Sequence, residues 1–304
     1  MVPRPTTFFD ASDLLERSDV RLVIASETFQ QTGSFKFRAA YQVAKNCPND
    51  HVIAASSGNF GQALASACRI FGKKCTVVMP ETSAQVKVNA VREYGGIVDL
   101  IDVKKISRDE RVRQLAEENP EAYITSAFDD PFVIAGNSSL GVEIIKAFPN
   151  VDTIICPIGG GGLASGIVLA IQEQANDIHL LAAEPLAGND AARSFRSGKL
   201  EANDQEPLTI ADGARTKSLG LRNWEILKGN RGLTGVIEVP DDAVKETVRT
   251  LYHRLNLKVE PTGALAVAAI LTHPEFLSSG QTICCVVSGG NVDPAVYAEI
   301  ITAG

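Results

Sequence analysis

Six short runs of apolar residues are the sequence feature that most restricts the fold. They occupy residues 51–55, 75–80, 97–101, 151–157, 178–183 and 281–287. Stretches with helical character separate them, for example 61–71, 163–171 and 243–255. Non-alternating apolar strands that alternate with helices are typical of a parallel sheet covered by helices on both faces. The pattern therefore predicts an α/β fold.

Composition and charge exclude several classes of protein. The chain has 304 residues, which is enough for two lobes around a large core. Thirty-six acidic residues against 29 basic ones give a net charge of −7, and no dense basic stripe is present, so no nucleic-acid partner is expected. No apolar run approaches the ~20 residues that cross a bilayer, and the first residues lack the apolar core of a signal peptide. A cytoplasmic protein without a membrane partner is expected.

The cysteines and histidines argue against several chemistries. The six cysteines, at positions 47, 68, 75, 156, 284 and 285, form no Cys-x-x-Cys pair and no zinc-like spacing. Free thiols inside apolar runs behave as small hydrophobic groups, so reduced, structural cysteines are predicted. The four histidines match no metal or Ser-His-Asp signature. An enzyme with this sequence is not expected to depend on histidine.

Three of the predicted strands run into loops that are rich in glycine and hydroxyl groups. These loops are Ser56–Gln62, Gly159–Gly162 and Ser288–Asn291. Ligands of parallel sheets bind beyond the carboxyl ends of the strands. If the three loops converge there, they supply many backbone N–H groups and few charges. Such a site suits an anionic ligand with a flat polar ring.

The glycine tetrad itself has two functional interpretations. Free N–H groups without a Cβ at the start of a helix form a phosphate cradle. Alternatively, Gly159-x-Gly161-x-x-Ala164, with Glu184 about twenty residues further on, fits a dinucleotide fingerprint and predicts a nicotinamide-dependent dehydrogenase. That second interpretation leaves the other two glycine loops without a function. A tight turn without a ligand is the structural alternative.

Lys36 is the candidate nucleophile, because it lies between Phe35 and Phe37 shortly after the glycine turn that ends at Gly33. Apolar surroundings lower the pKa of an ammonium group, and a neutral amine is the species that forms a Schiff base with an aldehyde. A single lysine at the start of a helix is more often exposed. The combination of Lys36 with the glycine loops is what indicates a catalytic lysine.

Together these motifs resemble those of the fold-type II pyridoxal-phosphate enzymes, in particular the serine/threonine dehydratases and serine racemases. The matching segments follow the family's order: Ser34-Phe35-Lys36, Ser57–Gln62, Pro157–Gly162 and Ser288–Asn291. The resemblance implies a tryptophan synthase β-subunit-like fold with two three-layer parallel-sheet domains. Residues 1–47 and 131–304 would form the large cofactor-binding domain, and residues 48–130 a small mobile domain. The family also suggests a homodimer.

The resemblance also implies how pyridoxal 5'-phosphate would be bound. Lys36 would hold it covalently and later move the α-proton of the substrate, and Phe35 would pack beside its ring. Asn59 would hydrogen-bond the ring hydroxyl, and Ser288 would face the ring nitrogen. The phosphate would lie on Gly159, Gly160, Gly161 and Gly162.

The substrate and a cation have their own candidate residues. By the same resemblance, the substrate carboxylate would lie on Ser56, Ser57, Gly58 and Asn59. Glu184, Gly188 and Asp190 resemble the family's divalent-cation loop, which offers hard oxygen ligands to Mg²⁺, Ca²⁺ or Mn²⁺; a solvated acidic turn is the alternative. Arg108 aligns loosely with residues near the substrate side chain and could pair with a second carboxylate, although an exposed arginine is the simpler explanation.

The primary interpretation is a lyase that converts β-hydroxy amino acids, namely L-threonine, L-serine and also 3-hydroxyaspartate, to 2-oxo acids and ammonia. Ser57 leaves a second reaction open, since racemising members carry serine there and dehydratases often carry alanine. A serine or hydroxyaspartate racemase is therefore the first alternative. A β-replacement synthase and the nicotinamide-dependent dehydrogenase follow. Phe60 departs from the histidine that is common in this loop of the family.

Overall fold

A computed structural model describes residues 1–174 and 177–303. The strands are β1 (Thr7–Asp10), β2 (Arg21–Ser26), β3 (His51–Ala55), β4 (Lys74–Pro80), β5 (Ile97–Ile101), β6 (Ala122–Thr125), β7 (Thr153–Pro157), β8 (His179–Pro185), β9 (Gly235–Val239) and β10 (Thr282–Val287). The longer helices are α1 (Lys36–Asn46), α2 (Asn59–Ile70), α3 (Gln85–Glu93), α4 (Arg108–Glu118), α5 (Pro131–Ala147), α6 (Gly162–Gln174), α7 (Asp190–Ser197), α8 (Leu221–Leu227), α9 (Asp241–Leu255), α10 (Pro261–Thr272) and α11 (Pro294–Thr302).

The strands form two sheets. A six-stranded sheet has the order β1-β2-β10-β7-β8-β9, and a four-stranded sheet has the order β5-β4-β3-β6. All neighbours are parallel except β1, which pairs antiparallel with β2. The predicted α/β fold is confirmed, and each of the six predicted strands is present.

The four-stranded sheet with α2, α3 and α4 is called the small unit here, and the six-stranded sheet with α5 to α11 the large unit. The strands of the small unit all lie between residues 51 and 125. Helix α1 contributes Phe37 and Val43 to the apolar core that also contains Phe60 and Leu64 of α2. Since α1 precedes residue 48, the core of the small unit extends beyond the predicted boundary. The division at residues 48 and 130 stays a prediction.

Helix α1 is anchored by a buried arginine two residues after Lys36. The Arg38 guanidinium donates to both oxygens of Glu27, at 2.7 and 2.9 Å, and to Glu143 at 2.7 and 3.0 Å. It also donates to Thr6 Oγ1 at 2.8 Å and to the Arg4 carbonyl at 3.1 Å. Removing one member of such a buried pair leaves an uncompensated charge. The network therefore fixes the helix that begins at Lys36.

The predicted role of the cysteines agrees with their surroundings. All six are free and buried. Burial raises the pKa of the Cys156 and Cys284 thiols to about 12, so both stay protonated and unreactive at neutral pH. Across the described residues, no helix has the length and apolar character that crossing a membrane requires.

Candidate active site

The segment before Lys36 is joined to the loop that follows β10. Ser34 and Gly289 form an antiparallel bridge. The Phe35 N–H donates to the carbonyl of Ser288 at 3.0 Å, and the Gly290 N–H donates to the carbonyl of Gly33 at 3.0 Å. Residues about 250 positions apart in the sequence therefore share one short stretch of backbone pairing, and Ser288, which is buried, lies next to the Lys36 segment.

Side-chain amides connect the Ser56–Gln62 loop to this paired backbone. Asn291 Nδ2 donates to Asn59 Oδ1 at 2.8 Å and to the carbonyl of Thr32 at 2.7 Å. Gln62 Nε2 also reaches Asn59 Oδ1, at 3.3 Å. The structure thus brings together Lys36, Asn59 and Ser288, which the sequence predicts as parts of one site.

Lys36 begins α1 and points its amine between aromatic rings. Its Nζ donates to the carbonyl of Ala127 at 2.8 Å and lies 5.0 Å from the ring centroid of Phe35 and 5.8 Å from that of Phe60. Burial lowers the pKa of Lys36 to about 8, an effect that the charge of Glu260 opposes. The second ring beside the amine comes from Phe60 and not from Phe37, which is buried in the core of the small unit.

Glu260 is a site residue that the sequence analysis missed. Its carboxylate accepts from Asn59 Nδ2 at 2.8 and 3.0 Å, across 201 positions of sequence. Burial, reinforced by the charge of Asp212, raises the pKa of Glu260 to about 8. The only hint in the sequence is a carboxylate between Val259 and Pro261, shortly before the apolar run 263–271. Lys36 and Glu260 therefore form a pair of opposite charge, and the pKa of each group lies at about 8.

The glycine tetrad connects β7 to α6 and is shaped for a ligand. Gly161 has φ +91°, in the region that favours glycine. Among the described residues, the N–H groups of Gly159, Gly160 and Gly161 have no hydrogen-bond acceptor. Thr216 Oγ1, which is buried without a partner, lies 3.5 Å from a Cβ built on Gly159. These unpaired donors fit a phosphate group.

Phe128 is a second residue that the sequence analysis missed. A Cβ built on Gly160 would lie 2.2 Å from Phe128 Cγ, and one built on Gly162 would lie 2.6 Å from the Phe128 carbonyl. Asn223 Nδ2 donates to that carbonyl at 3.0 Å and to the Gly160 carbonyl at 2.7 Å. The aromatic ring and the amide hold the tetrad in place from outside, and no motif in the sequence indicates either contact.

The loop from Ser56 to Asn59 begins α2. Ser56 Oγ accepts from the N–H of Gly58 at 3.3 Å and from that of Gly61 at 3.1 Å. This hydroxyl therefore shapes the loop, and Ser57, the next residue, is half-buried. An open helix N-terminus with two serines beside it favours a carboxylate ligand.

Glu184 and Asp190 lie at the two ends of the loop after β8. The two oxygens of Glu184 accept from the N–H groups of Ala191 and Ala192, each at 2.9 Å. Asp190 Oδ1 accepts from Asn203 at 2.9 Å, whereas its buried Oδ2 has no hydrogen-bond partner. Burial raises the pKa of Glu184 to about 8 and that of Asp190 to about 7. Glu184 thus caps α7 and still lies close enough for Asp190 to affect its pKa.

Arg108, which the sequence predicts near the substrate side chain, has no described hydrogen bond or ion pair with the three glycine loops. It is the first residue of α4 and forms an ion pair with Glu206 of the large unit. About a third of its side chain is exposed.

Comparisons with known proteins agree with this geometry. A family model described as pyridoxal-phosphate dependent enzyme matches residues 1–289. An L-threo-3-hydroxyaspartate ammonia-lyase from a Pseudomonas species is 36% identical over 97% of this chain and 92% of its own length. A serine racemase from Bos taurus is 34% identical, over 95% and 88% respectively. A crystal structure of a T.th. threonine deaminase has a TM-score of 0.88 and 36% identity, with 96% of this chain and 94% of that chain covered. The dinucleotide interpretation of the tetrad is therefore left without support, and the chain belongs to the family of pyridoxal-phosphate dependent enzymes.

Proposed function

We propose that this protein is a pyridoxal-phosphate-dependent ammonia-lyase that converts L-threonine, L-serine and 3-hydroxyaspartate to 2-oxo acids and ammonia. The observation that carries the proposal is the Lys36 amine, whose pKa burial lowers to about 8. It donates to the carbonyl of Ala127, and the next residue, Phe128, packs against the cradle of unpaired N–H groups. The ammonia-lyase and the serine racemase that the chain resembles support this class of substrate.

The residues on the cofactor side fit pyridoxal phosphate. When bound, the cofactor supplies an electron sink for the charge that develops at the substrate α-carbon. The N–H groups of Gly159, Gly160, Gly161 and Gly162 would bind its phosphate. Phe35 would pack on the ring, Asn59 would hydrogen-bond the ring hydroxyl, and Ser288 would face the ring nitrogen. Glu260 orients the Asn59 amide for that purpose.

The residues on the substrate side divide between binding and proton transfer. The loop of Ser56, Ser57, Gly58 and Asn59 at the start of α2 would bind the substrate carboxylate. Lys36 Nζ, once free of the cofactor, would take the α-proton. The Phe35 and Phe60 rings lie beside that amine, and its burial keeps part of it neutral and able to act as a base. The β-hydroxyl would leave as water with the proton that Lys36 has taken up, so that no histidine is required.

For the second carboxylate of 3-hydroxyaspartate, the sequence offers Arg108, and the structure offers a second cation, Lys87 of α3, which pairs with Asp212. A guanidinium offers a bidentate contact to a carboxylate. Arg108 now pairs with the carboxylate of Glu206. A substrate carboxylate that displaced Glu206 would therefore replace one ion pair of Arg108 with a similar one.

A racemase is the second candidate, and Ser57 is the residue that favours it. Its half-buried hydroxyl in the substrate loop would give a proton to the face of the α-carbon opposite Lys36. The 34% identity to a serine racemase is consistent with this role.

We also propose a divalent cation, Mg²⁺ (or Ca²⁺ or Mn²⁺), bound by the Glu184 and Asp190 carboxylates and the Gly188 carbonyl. The buried Asp190 Oδ2 without a partner supports it, since oxygen ligands suit these ions. In the described part of the chain, no group of three or more His, Cys, Asp and Glu side chains is placed to hold a metal. The cation would therefore need the Gly188 carbonyl and water molecules as ligands in addition to the two carboxylates.

The family resemblance further supports a homodimer. Sedimentation equilibrium would give about twice the chain mass of 32.4 kDa if this holds, and the mass of a single chain if it does not.

Offering L-serine, D-serine, L-threonine and both 3-hydroxyaspartate diastereomers to cofactor-loaded enzyme tests the proposed function. We expect 2-oxo acid and ammonia from the L-substrates, with Lys36→Ala reducing turnover by at least about 10³-fold, because one group both holds the cofactor and moves the proton. Lys45→Ala, in the last turn of α1, is the matched control. Oxo acid formation by Lys36→Ala at a tenth of the normal rate would refute the assignment.

Replacing Ser57 separates the lyase from the racemase. Ser57→Ala should reduce inversion of L-serine by about 10²-fold, the contribution of one general acid, and change elimination from L-serine by less than threefold. Chiral chromatography of the remaining amino acid and quantification of the oxo acid give both rates. A parallel fall in the two rates would mean that Ser57 only binds the carboxylate.

The lowered pKa of Lys36 predicts the pH dependence of cofactor attachment. Only the neutral amine reacts, so the rate of covalent binding of added pyridoxal phosphate should rise with pH and level off above about 8. The charge of Glu260 raises the pKa of Lys36, so Glu260→Gln should move the midpoint to lower pH, and the exposed Glu275→Gln should not. Absorbance stopped-flow measures the rate. An unchanged midpoint would show that Glu260 carries no charge beside Lys36.

Cation binding should stabilise the protein. A ligand at a hundred times its Kd contributes about 2.7 kcal/mol, which raises the Tm of a chain of this size by roughly 4 °C. Melting curves in EDTA and in excess Mg²⁺, Ca²⁺ or Mn²⁺ should show that shift in the native protein and lose it in Asp190→Asn. An equal shift in the variant would place the cation elsewhere.

A further inference from the structure

Two ion pairs connect the small unit to one segment of the large unit, residues 201–220. Lys87 of α3 pairs with Asp212, and Arg108 of α4 pairs with Glu206. In both pairs the small unit supplies the cation and the large unit supplies the carboxylate. A ligand with a carboxylate of its own can therefore compete for either cation.

The Lys87–Asp212 pair lies beside the glycine tetrad and Glu260. Asp212 begins a short 3-10 turn in which Gly213 donates its N–H to Thr262 Oγ1 at 2.9 Å, two residues after Glu260. In the same turn, Ala214 Cα lies 3.0 Å from a Cβ built on Gly159. Burial and then the charge of Asp212 raise the pKa of Glu260, whereas the charge of Lys87 lowers it. Both members of the pair are therefore close to the reaction centre.

The Arg108–Glu206 pair lies next to a different loop. Pro207, which follows Glu206, has its Cγ 2.7 Å from a Cβ built on Gly188. This pair is thus adjacent to the loop between Glu184 and Asp190. Of the two cations, Lys87 is the one whose partner belongs to a turn that packs on the tetrad.

The Lys87–Asp212 pair is open to exchange. The side chains of Lys87 and Asp212 are 30% and 37% exposed, and ion pairs with that much water contribute little to stability. Another carboxylate can therefore replace Asp212 at small cost. A four-carbon dicarboxylic amino acid carries such a group on its β-carbon, whereas serine and threonine do not.

We propose that Lys87 binds the second carboxylate of a dicarboxylic β-hydroxy amino acid, and that Asp212 holds this position in the free enzyme. The proposal rests on the proposed lyase function and deepens it by naming the residue that selects the dicarboxylic substrate. Lys87 would strengthen binding of 3-hydroxyaspartate and leave serine unaffected. Asp212 would act as an internal competitor, which weakens the binding of every ligand that needs Lys87.

Titration calorimetry with succinate and butyrate tests the binding directly, since only succinate has a second carboxylate. Lys87→Gln should raise the Kd of succinate about tenfold, the effect of one charge-assisted hydrogen bond, and leave the Kd of butyrate within twofold. Asp212→Asn should lower the Kd of succinate severalfold by freeing Lys87. Lys105→Gln is the matched control, because Lys105 pairs with Asp102 inside the small unit and should change neither value.

Three results would overturn the proposal. A fall in succinate affinity in Asp212→Asn would show that the ion pair only holds the two units together. Equal losses for succinate and butyrate in Lys87→Gln would show a general loss of the site. A tenfold loss in Arg108→Ala with none in Lys87→Gln would assign the second carboxylate to Arg108 instead.

Steady-state kinetics distinguish the role of Lys87 from the lyase function on which this proposal rests. In Lys87→Gln the KM of threo-3-hydroxyaspartate should rise about tenfold with kcat within twofold, while KM for L-serine is unchanged. Lys87→Arg should restore most of the loss. Native enzyme that forms oxo acid from neither substrate would contradict the lyase function. Turnover of both, with the same KM values in Lys87→Gln, would contradict the role of Lys87 alone.

Discussion

The backbone pairing between the segment before Lys36 and the loop after β10 is the contact on which the site depends. Parallel neighbours β2 and β10 run in register from Arg21 and Thr282 to Ser26 and Val287, so their carboxyl ends deliver Glu27 and Ser288 to the same edge. The hydrogen bond from Phe35 to Ser288 then sets where α1 begins. Because Lys36 is the first residue of α1, the sheet register determines the position of the amine.

The charges around Lys36 serve a single requirement, which is an amine that is partly neutral near neutral pH. Burial lowers the pKa of Lys36, and Glu260 limits that decrease. The same burial raises the pKa of Glu260, so neither group is a fixed full charge. Asn59 joins Glu260 to the loop of Asn291, which couples the electrostatics of the amine to the geometry of the proposed ring-binding residues.

Sequence alone could predict the elements whose signal is local. The strands predicted at residues 51–55 and 97–101 have the bounds of β3 and β5, since loops with turn residues flank both runs. The antiparallel β1 and the short β6 carry too few apolar residues for that signal. Glu260 and Phe128 could not be found, because their contacts with Asn59 and Gly160 join distant parts of the chain. The tetrad was ambiguous for the same reason, since only the fold shows which loops accompany it.

The place of β10 in the six-stranded sheet has a consequence for biosynthesis. This last strand lies in the interior of the sheet, between β2 and β7, and the loop after it completes the surroundings of Lys36. A ribosome must therefore release the chain as far as residue 287 before the large sheet can close, whereas the four-stranded sheet can form from the continuous segment 51–125 much earlier. Pairing between strands that are far apart in the sequence slows folding. The surroundings of Lys36 are thus completed after the small unit has formed, and a chain that is cut short before β10 cannot hold Lys36 in its final geometry.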